Sequence, residues 1–370
     1  MLRWLWLAWI AGCGDAPGAG AADAGTDGGA ADSPCSAREV WRQATSVPGE
    51  AWDVAVLGAG AAAAGTTREP IGSDIFVHTY EEGGVAAWGD EYSNEGGLDA
   101  NDTGQGVAST ASGSVIAVGS LAGATSGWVR GYDETGRDDW TDFFSGQAKG
   151  VALDASGTAY VAGVLEDDRG GDALLRRYDT EGGLAWEQSW AGAYADSADA
   201  VALTPQGDLV VAGGTQEEYG EWRVWIAKYD AAGAEIWSRP QPTPGAGLDV
   251  AVDPPGNLLV AGWTGAGGAT EAWIAQYGPD GDEIWSRTID ADRATSVTTD
   301  SSGVVYVALQ LPADDEPTRP SLAAFTPEGE EIWTCTLPGG SLRAVAVDPD
   351  GDVLVAGADG EDVLVAALRR

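Results

Sequence analysis

The residues that could carry acid–base, nucleophilic or metal chemistry are few. The chain has one histidine, His78, and three cysteines, at positions 13, 35 and 335. This content excludes His/Cys zinc centres and most redox relays, and any Ser-His-Asp mechanism would depend on His78 alone. His78 follows Ile75-Phe76-Val77 in an apparent strand, which favours a partly buried structural residue over a base. We therefore predict no catalytic residue and no metal site.

Acidic side chains dominate the charge of the chain. There are 58 Asp and Glu residues against 19 Lys and Arg residues, which gives a formal net charge of −39. A charge of this sign repels phosphate backbones and anionic lipid headgroups, so nucleic-acid binding and polybasic membrane association are excluded. The carboxylates could form a glycosidase pair about 5–9 Å apart, but the sequence offers no spacing that identifies one.

The elements that must position these side chains come from a repeat. One segment recurs seven times after residue 35, and its clearest copy is DVAVDPPGNLLVAG at 249–262. A second pattern lies between the copies, as in IAQYGPDGDEIW at 274–285. The copies end at residues 65, 119, 163, 213, 262, 309 and 357. A period of about 49 residues is typical of propellers and exceeds leucine-rich and ankyrin repeats.

Each period is predicted to contain four short strands, A to D. Strands A and B are predicted for segments such as VAVD and LLVAG. Strands C and D are predicted for segments such as WIAQY and EIWSR, which lie on either side of a polar turn. Each D strand carries a tryptophan: Trp88, Trp140, Trp186, Trp237, Trp285 and Trp333, with Trp41 before the first A strand. The chain stops after a C strand, so we expect the N-terminal segment to supply the missing D strand and close the ring.

The pattern D-V-A-V-D-x-x-G-N-x-x-V-A-G followed by Y-x-x-x-G-x-E-x-W resembles the bacterial β-propeller repeat of the SBBP type, found in secreted and surface proteins. The resemblance covers residues 38–370. It implies an all-β fold, a seven-bladed β-propeller of four-stranded antiparallel blades whose N-terminal strand closes the last blade. It implies little about activity, because propellers host many functions.

Side chains just before the seven A strands are expected to line the mouth of a central channel, the default pocket of such a fold. They are Trp52, Gln105, Lys149, Asp199, Asp249, Thr295 and Arg343. Variable, acidic loops at 89–105, 214–223 and 310–320 are expected on the same face. They could bind a cationic partner, a divalent ion or a glycan, or could simply keep the protein soluble.

The first residues read as an export signal. A short apolar stretch, too short to span a bilayer, ends in Ile10-Ala11-Gly12-Cys13, which resembles the lipobox of bacterial lipoproteins. We therefore expect a lipoprotein signal peptide at 1–12 and an acylated Cys13 that begins a disordered linker, 13–34, before the propeller at 35–370. Because Gly14 rather than Asp follows Cys13, the outer membrane is the expected destination.

The two other cysteines form an even pair in an oxidising compartment. Cys335 lies in the D strand of the sixth blade, and Cys35 leads into the strand that closes the seventh. A disulfide between them would pin the closing strand to its neighbour. Two free thiols are the alternative, since the geometry of the pair cannot be checked from sequence.

Two motifs point toward cofactors. Tyr229-Asp230, with the Gly and Trp that follow, looks similar to the tryptophan-docking motif of pyrroloquinoline-quinone dehydrogenases, but the extra blade and catalytic insertion of those enzymes are not visible. The segment 348–352, DPDGD, begins like a calcium loop, yet its counterpart at 253–257 lacks the ligands, so a repeated A–B turn explains it better. No cofactor is predicted, and calcium alone is left open.

These observations together predict a lipid-anchored, extracytoplasmic propeller that binds or scaffolds an envelope protein or polysaccharide. We expect a monomer in the bacterial cell envelope, an outer-membrane lipoprotein that is either periplasmic or surface-exposed. No enzymatic activity is predicted. The alternatives are a propeller enzyme, either a quinoprotein-like dehydrogenase or a carbohydrate-active hydrolase, and a lectin-like glycan binder.

Overall fold

The computed structural model describes residues 38–369, apart from 69–71, 94–100, 122–124, 167–169, 191, 193, 218–219, 266–269, 311–319 and 337–339. The described residues form 25 β-strands and no α-helix, which confirms the all-β prediction. In this part of the chain no helix could therefore cross a membrane. The lipobox, the linker and Cys35 lie outside the described residues, so the expectations about them stay predictions.

The strands are short, apart from three long ones. Strands β1 to β8 are Arg38–Leu57, Gly60–Thr67, Ile75–Tyr80, Ala86–Tyr92, Thr103–Ser109, Val115–Leu121, Ser126–Tyr132 and Asp138–Leu153. Strands β9 to β17 are Ala159–Leu165, Asp172–Tyr178, Leu184–Trp190, Asp196–Leu203, Leu209–Gln216, Trp222–Tyr229, Glu235–Val252, Leu258–Thr264 and Glu271–Tyr277. Strands β18 to β25 are Glu283–Ile289, Arg293–Thr299, Val305–Gln310, Pro320–Phe325, Glu331–Thr336, Ser341–Val347, Val353–Asp359 and Asp362–Arg369.

The strands pair into antiparallel units of four. Strands β19 to β22 form one unit, while three larger sheets run β23-β24-β25-β1-β2-β3-β4, β11-β10-β9-β8-β7-β6-β5 and β12-β13-β14-β15-β16-β17-β18. Each larger sheet is two units joined by one long strand. In β15, for example, residues 235–244 pair with β14 and residues 245–252 pair with β16. The predicted A-B-C-D order of strands is therefore present.

The first described strand pairs with the last one, as the sequence predicted. The N-terminal half of β1 runs antiparallel to β25, with Arg38 opposite Arg369 and Ala44 opposite Leu364. The other half of β1 pairs with β2. This arrangement covers an edge of β25 that would otherwise expose unpaired backbone groups.

The hydrophobic core lies between neighbouring units. Central strands are buried on both faces, as in β6, where all seven residues are buried, whereas outer strands such as β11 have no buried residue. Val210 and Ile226 of one unit pack against Val260 and Tyr277 of the next. Continuous apolar runs in the central strands therefore reflect packing on both sides of each sheet.

The outer-strand tryptophans join one unit to the next. Trp285 Nε1 donates a hydrogen bond of 2.9 Å to the carbonyl oxygen of Pro327, and Trp237 Nε1 donates one of 3.2 Å to Pro279. Both acceptors lie in the turn between the third and fourth strands of the following unit. The Trp285 ring also covers Gly329 there, where a Cβ atom would collide with it. The motif that resembles a quinone-docking element thus serves here to hold adjacent sheets together.

Aspartates at the repeated turns bind backbone amides. The Asp348 carboxylate accepts hydrogen bonds from the backbone N–H groups of Asp350 and Asp352, at 2.9 and 2.8 Å, and Gly351 has a φ of 89°. Asp230 makes the equivalent pair of bonds to Ala232 and Ala234. The segment that begins like a calcium loop is therefore built as the repeated turn.

Candidate functional site

The first strand of each unit, called here the inner strand, contains a β-bulge. The seven inner strands are β5, β12, β19, β23 and the second halves of β1, β8 and β15. In each of them the described register with the second strand shifts at the same place. The residues left without a partner by these shifts are Trp52, Gln105, Lys149, Asp199, Leu248, Thr295 and Arg343. A bulge re-aims its side chain, so these seven form one structurally equivalent set, called here the mouth ring.

Six of the seven residues that the sequence places just before the inner strands occupy these bulges. The exception is Asp249, which lies one residue beyond the bulge, whereas Leu248 occupies the equivalent position. The bulge shifts the register by one residue, and a sequence alignment does not show at which residue this happens. Asp249 belongs instead to a second set of positions that includes Asp53 and Ser296.

A glycine opposite the bulge explains the ending V-A-G of most copies. At Gly163, Gly213 and Gly262 an added Cβ would lie impossibly close to a carbonyl oxygen of the inner strand. In these three copies the bulged backbone approaches the second strand so closely that only glycine fits. Leu309 takes this position in the sixth copy, next to the bulge at Thr295.

Lys149 and Asp199 form an ion pair across two neighbouring units. Lys149 Nζ lies 2.6 Å from Asp199 Oδ1, and the Ser197 hydroxyl donates to Asp199 Oδ2 at 2.7 Å. Both charged side chains are largely buried, with relative exposures of 24% and 13%. The pair fixes both side chains and neutralises their charges at the mouth ring.

Arg343 and Trp52 meet where the last unit contacts the first. The guanidinium carbon of Arg343 lies 4.5 Å from the centre of the Trp52 ring, within cation–π range. Arg343 Nε also donates to Glu50 Oε1 at 2.7 Å, and Ser341 Oγ hydrogen-bonds to the same carboxylate oxygen. Glu50 is only 8% exposed, so this network is largely shielded from water.

The two neutral polar members of the ring make weak hydrogen bonds. Gln105 Nε2 donates to Ser120 Oγ at 3.4 Å. Thr295 Oγ1 donates to the carbonyl oxygens of Ala308 and Leu342, both at 3.4 Å. Contacts this long are easily exchanged, so these positions are more adaptable than the ion pairs beside them.

Asp53 and Asp249 each connect two inner strands. Asp249 accepts hydrogen bonds of 2.8 Å from the backbone N–H groups of Val250 in its own strand and Val297 in the next. Asp53 does the same with Val54 and Val107, also at 2.8 Å. Four backbone donors at the inner edge are thereby satisfied by two carboxylates.

Burial raises the pKa of both carboxyl groups. Desolvation raises the pKa of Asp53 to about 7, with the charge of Asp249 adding to the effect, although its hydrogen bonds with Val107 and Val54 act in the opposite direction. Desolvation likewise raises the pKa of Asp249 to about 6. Because the charge of Asp249 contributes to the raised pKa of Asp53, the two carboxyl groups lie within electrostatic range of each other. Sequence analysis missed Asp53, although D-V-A-V occurs at both 53–56 and 249–252.

A cavity of about 380 Å³ opens at the other end of the inner strands. It is lined by Leu203, Thr204, Pro205, Val252, Asp253, Pro254, Thr299, Asp300 and Ser301, which belong to the ends of three inner strands and the turns after them. The Asp253 carboxylate, however, is already bound by side-chain amides of Asn257 and Gln276, each at 2.8 Å. Sequence analysis predicted no pocket at this end.

The other described residues considered for chemistry, His78 and Cys335, lie in β-strands. His78 lies half-buried in β3, tilted against Phe76, and burial lowers its pKa, which keeps the imidazole neutral. Cys335 is buried in β22, while its predicted partner Cys35 lies outside the described residues, so the disulfide stays a prediction. Among the described residues no group of three or more His, Cys, Asp or Glu side chains could hold a metal ion.

Comparison with known proteins identifies the fold. The WD40 β-propeller domain of Doa1 is similar to this chain at 13% identity and a TM-score of 0.62, over 90% of this chain and 97% of that one. The fold is a β-propeller. The Pan2 WD40 domain of Neurospora crassa gives 11% identity and a TM-score of 0.61 over 90% and 95% of the two chains. The Dos1 propeller gives 10% identity and a TM-score of 0.56 over the same shares.

These comparisons concern architecture alone. No protein-family model matches the propeller sequence, and no curated protein matches it. At identities of 10–13% the solved propellers indicate how the backbone is arranged, not what it binds.

Proposed function

We propose that the seven repeats are seven blades of a closed ring. The inner strands contact one another in the order β1, β5, β8, β12, β15, β19, β23 and back to β1, which supports closure. The pairing of β1 with β25 and the ion pair of Arg343 with Glu50 join the last repeat to the first and support it further. In this arrangement the mouth ring surrounds one end of a central channel.

We propose further that the protein is a lipid-anchored, extracytoplasmic binding module that scaffolds a partner of the bacterial envelope. The observation that carries the binding function is the stack of Arg343 on Trp52, held by Glu50. Tryptophan and arginine are the residues most enriched at binding hot spots. Here both are fixed before a partner arrives, which lowers the entropic cost of binding.

The mouth ring suits binding better than catalysis. Its charged members are held by charges of opposite sign, Lys149 by Asp199 and Arg343 by Glu50, which fixes the side chains in place. Asp53 and Asp249 have raised pKa values, but their oxygens accept backbone hydrogen bonds that connect blades. These carboxylates are better explained as structural links than as an acid–base pair.

Anchoring and location rest on the sequence. The proposed acylation site is Cys13, followed by a linker of Gly, Ala, Asp, Pro, Ser and Thr residues. We propose that this tether holds the propeller at the outer membrane, with Cys35 and Cys335 joined to stabilise the closing strand. Growth of the bacterial host with radiolabelled palmitate tests the anchor. We expect label on the wild-type chain and on C35S, and none on C13S, whereas label on C13S would exclude this anchor.

Thermal melts of the detergent-solubilised full chain distinguish the classes of function. A ligand at 100 times its dissociation constant stabilises the folded state by about 2.7 kcal/mol, which is readily measured. We expect no shift with calcium or pyrroloquinoline quinone. A shift with either would favour the enzyme alternative, a shift with envelope saccharides would identify a glycan as the partner, and no shift would favour a protein partner.

A further inference from the structure

The cavity at the turn end of the inner strands has mostly apolar walls. Leu203, Val252 and Thr299 end three neighbouring inner strands and line it while half-buried. Pro205 and Pro254 line its exposed part and have no backbone N–H group to donate. Its volume of about 380 Å³ falls within the range of small-molecule sites, about 300–1,000 Å³. The cavity therefore suits a ligand with an apolar body.

The polar groups of the lining are engaged in their own turns. Thr204, Asp253 and Asp300 are only 5%, 5% and 8% exposed. Thr204 Oγ1 accepts a hydrogen bond of 3.1 Å from the backbone N–H of Asp208, and Asp300 Oδ1 accepts one of 2.8 Å from that of Ser302. Such deeply buried side chains have little surface to offer a ligand. A hydroxyl-rich ligand, which needs many hydrogen bonds, therefore fits this cavity poorly.

The protein surface around the cavity is acidic. Twelve turns at this end are closed by a hydrogen bond from a glycine N–H to the carbonyl oxygen three residues earlier, and they begin at residues 81, 110, 133, 154, 179, 204, 230, 253, 278, 300, 326 and 348. Ten of the twelve contain Asp or Glu, and none contains Lys or Arg. Carboxylates such as those of Glu328 and Asp350 are exposed. The field at this end therefore attracts cations.

Asp253 carries the same charge into the lining itself. Its carboxylate accepts hydrogen bonds from the side-chain amides of Asn257 and Gln276, which are neutral groups. Among the described residues Asp253 takes part in no ion pair, whereas Lys228 in the preceding blade is held by Asp208 at 3.0 Å. The negative charge beneath the cavity is therefore not cancelled by a neighbouring cation, and a positively charged ligand would benefit from it.

We propose that this cavity binds an organic cation. The apolar body of the ligand fills the space among Leu203, Val252 and Thr299, and its positive charge lies toward the acidic turns outside. This is a second site, at the opposite end of the inner strands from the mouth ring, and it is independent of the proposed binding function. Because attraction between exposed charges is screened by salt, the affinity for the cation should fall as the ionic strength rises.

Three probes that share one apolar body test the charge preference. They are 4-phenylbutylamine, 4-phenylbutanol and 4-phenylbutyrate, titrated calorimetrically into the full chain in an uncharged detergent, with titration into micelles alone as the blank. We expect the amine to bind at least about tenfold more tightly than the butyrate, because only the amine is attracted by the acidic turns. Its affinity should fall between about 0.02 M and about 0.5 M salt, and that of the alcohol should not.

Two tryptophan substitutions test the location. Ser301 lines the cavity and is exposed at the second position of its turn, so Ser301→Trp should fill the space without unfolding the blade. Ala155 has the same position in the turn that begins at residue 154, is also exposed, and does not line the cavity. We expect Ser301→Trp to weaken amine binding at least about tenfold and Ala155→Trp to leave it unchanged. Both variants share the same micelles, so their difference reports the cavity alone.

Four results would overturn the proposal. They are no binding of the amine above the micelle blank, equal affinities for the three probes, undiminished amine binding in Ser301→Trp, and equal losses in Ser301→Trp and Ala155→Trp. Thermal melts without ligand show that both variants are folded, so a loss confined to Ser301→Trp is a loss of the cavity. Crosslinking at the mouth ring is unaffected by any of these outcomes, which keeps the two sites separable.

Discussion

The guanidinium of Arg343 lies 4.5 Å above the Trp52 ring, so that the last repeat of the chain contacts the first through their bulged residues. The same guanidinium binds Glu50, which is 8% exposed. One side chain thus takes part both in joining the ends of the chain and in forming the proposed binding surface. Its removal should affect stability and binding together.

We expect Arg343→Ala to lower the free energy of unfolding by about 2 kcal/mol, because the buried Glu50 side chain would lose its guanidinium partner. Urea denaturation measures the change. Arg137→Ala is the matched control, since that arginine is 74% exposed and should contribute less than about 0.5 kcal/mol. Equal effects of the two substitutions would show that the Glu50 network does not join the repeats.

Stability should fall as the pH rises from about 4 to about 7. The pKa values of Asp53 and Asp249 are raised to about 7 and about 6 in the folded chain, above the ordinary 3.8, so the folded state holds more protons than the unfolded state in this range. Between pH 5 and 8 the free energy of unfolding should fall in both proteins. The fall should be about 2 kcal/mol smaller in the Asp53→Asn variant than in the wild type. Urea denaturation at a series of pH values measures this difference. If the free energy of unfolding falls equally in the wild type and in Asp53→Asn, the pKa of Asp53 is not raised in the folded chain.

Gly262→Ala should destabilise the protein by about 2 kcal/mol or more, because the new Cβ would collide with the carbonyl oxygen of Ala246 next to the bulge. Gly256 provides the control. Its φ is 94° but nothing lies within 4 Å of an added Cβ, so Gly256→Ala should cost only about 1 kcal/mol of backbone strain. Thermal melts of both variants compare the two costs, and a smaller loss for Gly262→Ala would argue against the close approach.

Trp285→Ala should lower the free energy of unfolding by about 3–4 kcal/mol. The Trp285 ring is only 7% exposed, and its indole N–H donates to the Pro327 carbonyl oxygen in the next blade. The equivalent Trp186 is less buried, and its bond to the Ala231 carbonyl oxygen is 3.3 Å long. Trp186→Ala should therefore cost clearly less. Chemical denaturation measures the free energy of unfolding of both variants. Equal losses in the two variants would contradict the prediction that the more buried tryptophan contributes more.

The repeat made most of the fold predictable, because each blade restates the same pattern of buried strands and turns. The period, the four strands, the outer tryptophans and the pairing of the first strand with the last all follow from it. The exact residues of the mouth ring do not follow from the repeat, because the position of a bulge depends on hydrogen bonding between strands. For this reason the bulge lies at Leu248, one residue before the predicted Asp249. The contacts of Arg343 with Glu50 join residues 293 positions apart, and no local pattern shows them.

The cavity among the turns also escaped sequence analysis. Its lining comes from three blades, and each contributes only the end of a strand and a short turn. Such turns look uniform in the sequence, so nothing in them indicates a space. Asp53 was detectable in principle, because it begins the same D-V-A-V segment as Asp249.

The central claim, that the mouth ring binds an envelope partner, is tested most directly by site-specific photocrosslinking in the bacterial host. A photoreactive residue at position 105 lies in the ring, and one at position 206 lies on an exposed turn at the other end of the inner strands. We predict that position 105 crosslinks to one defined envelope component, that Trp52→Ala abolishes this crosslink, and that position 206 gives none. Crosslinking from position 206 alone, or a crosslink at 105 that survives Trp52→Ala, would contradict the account.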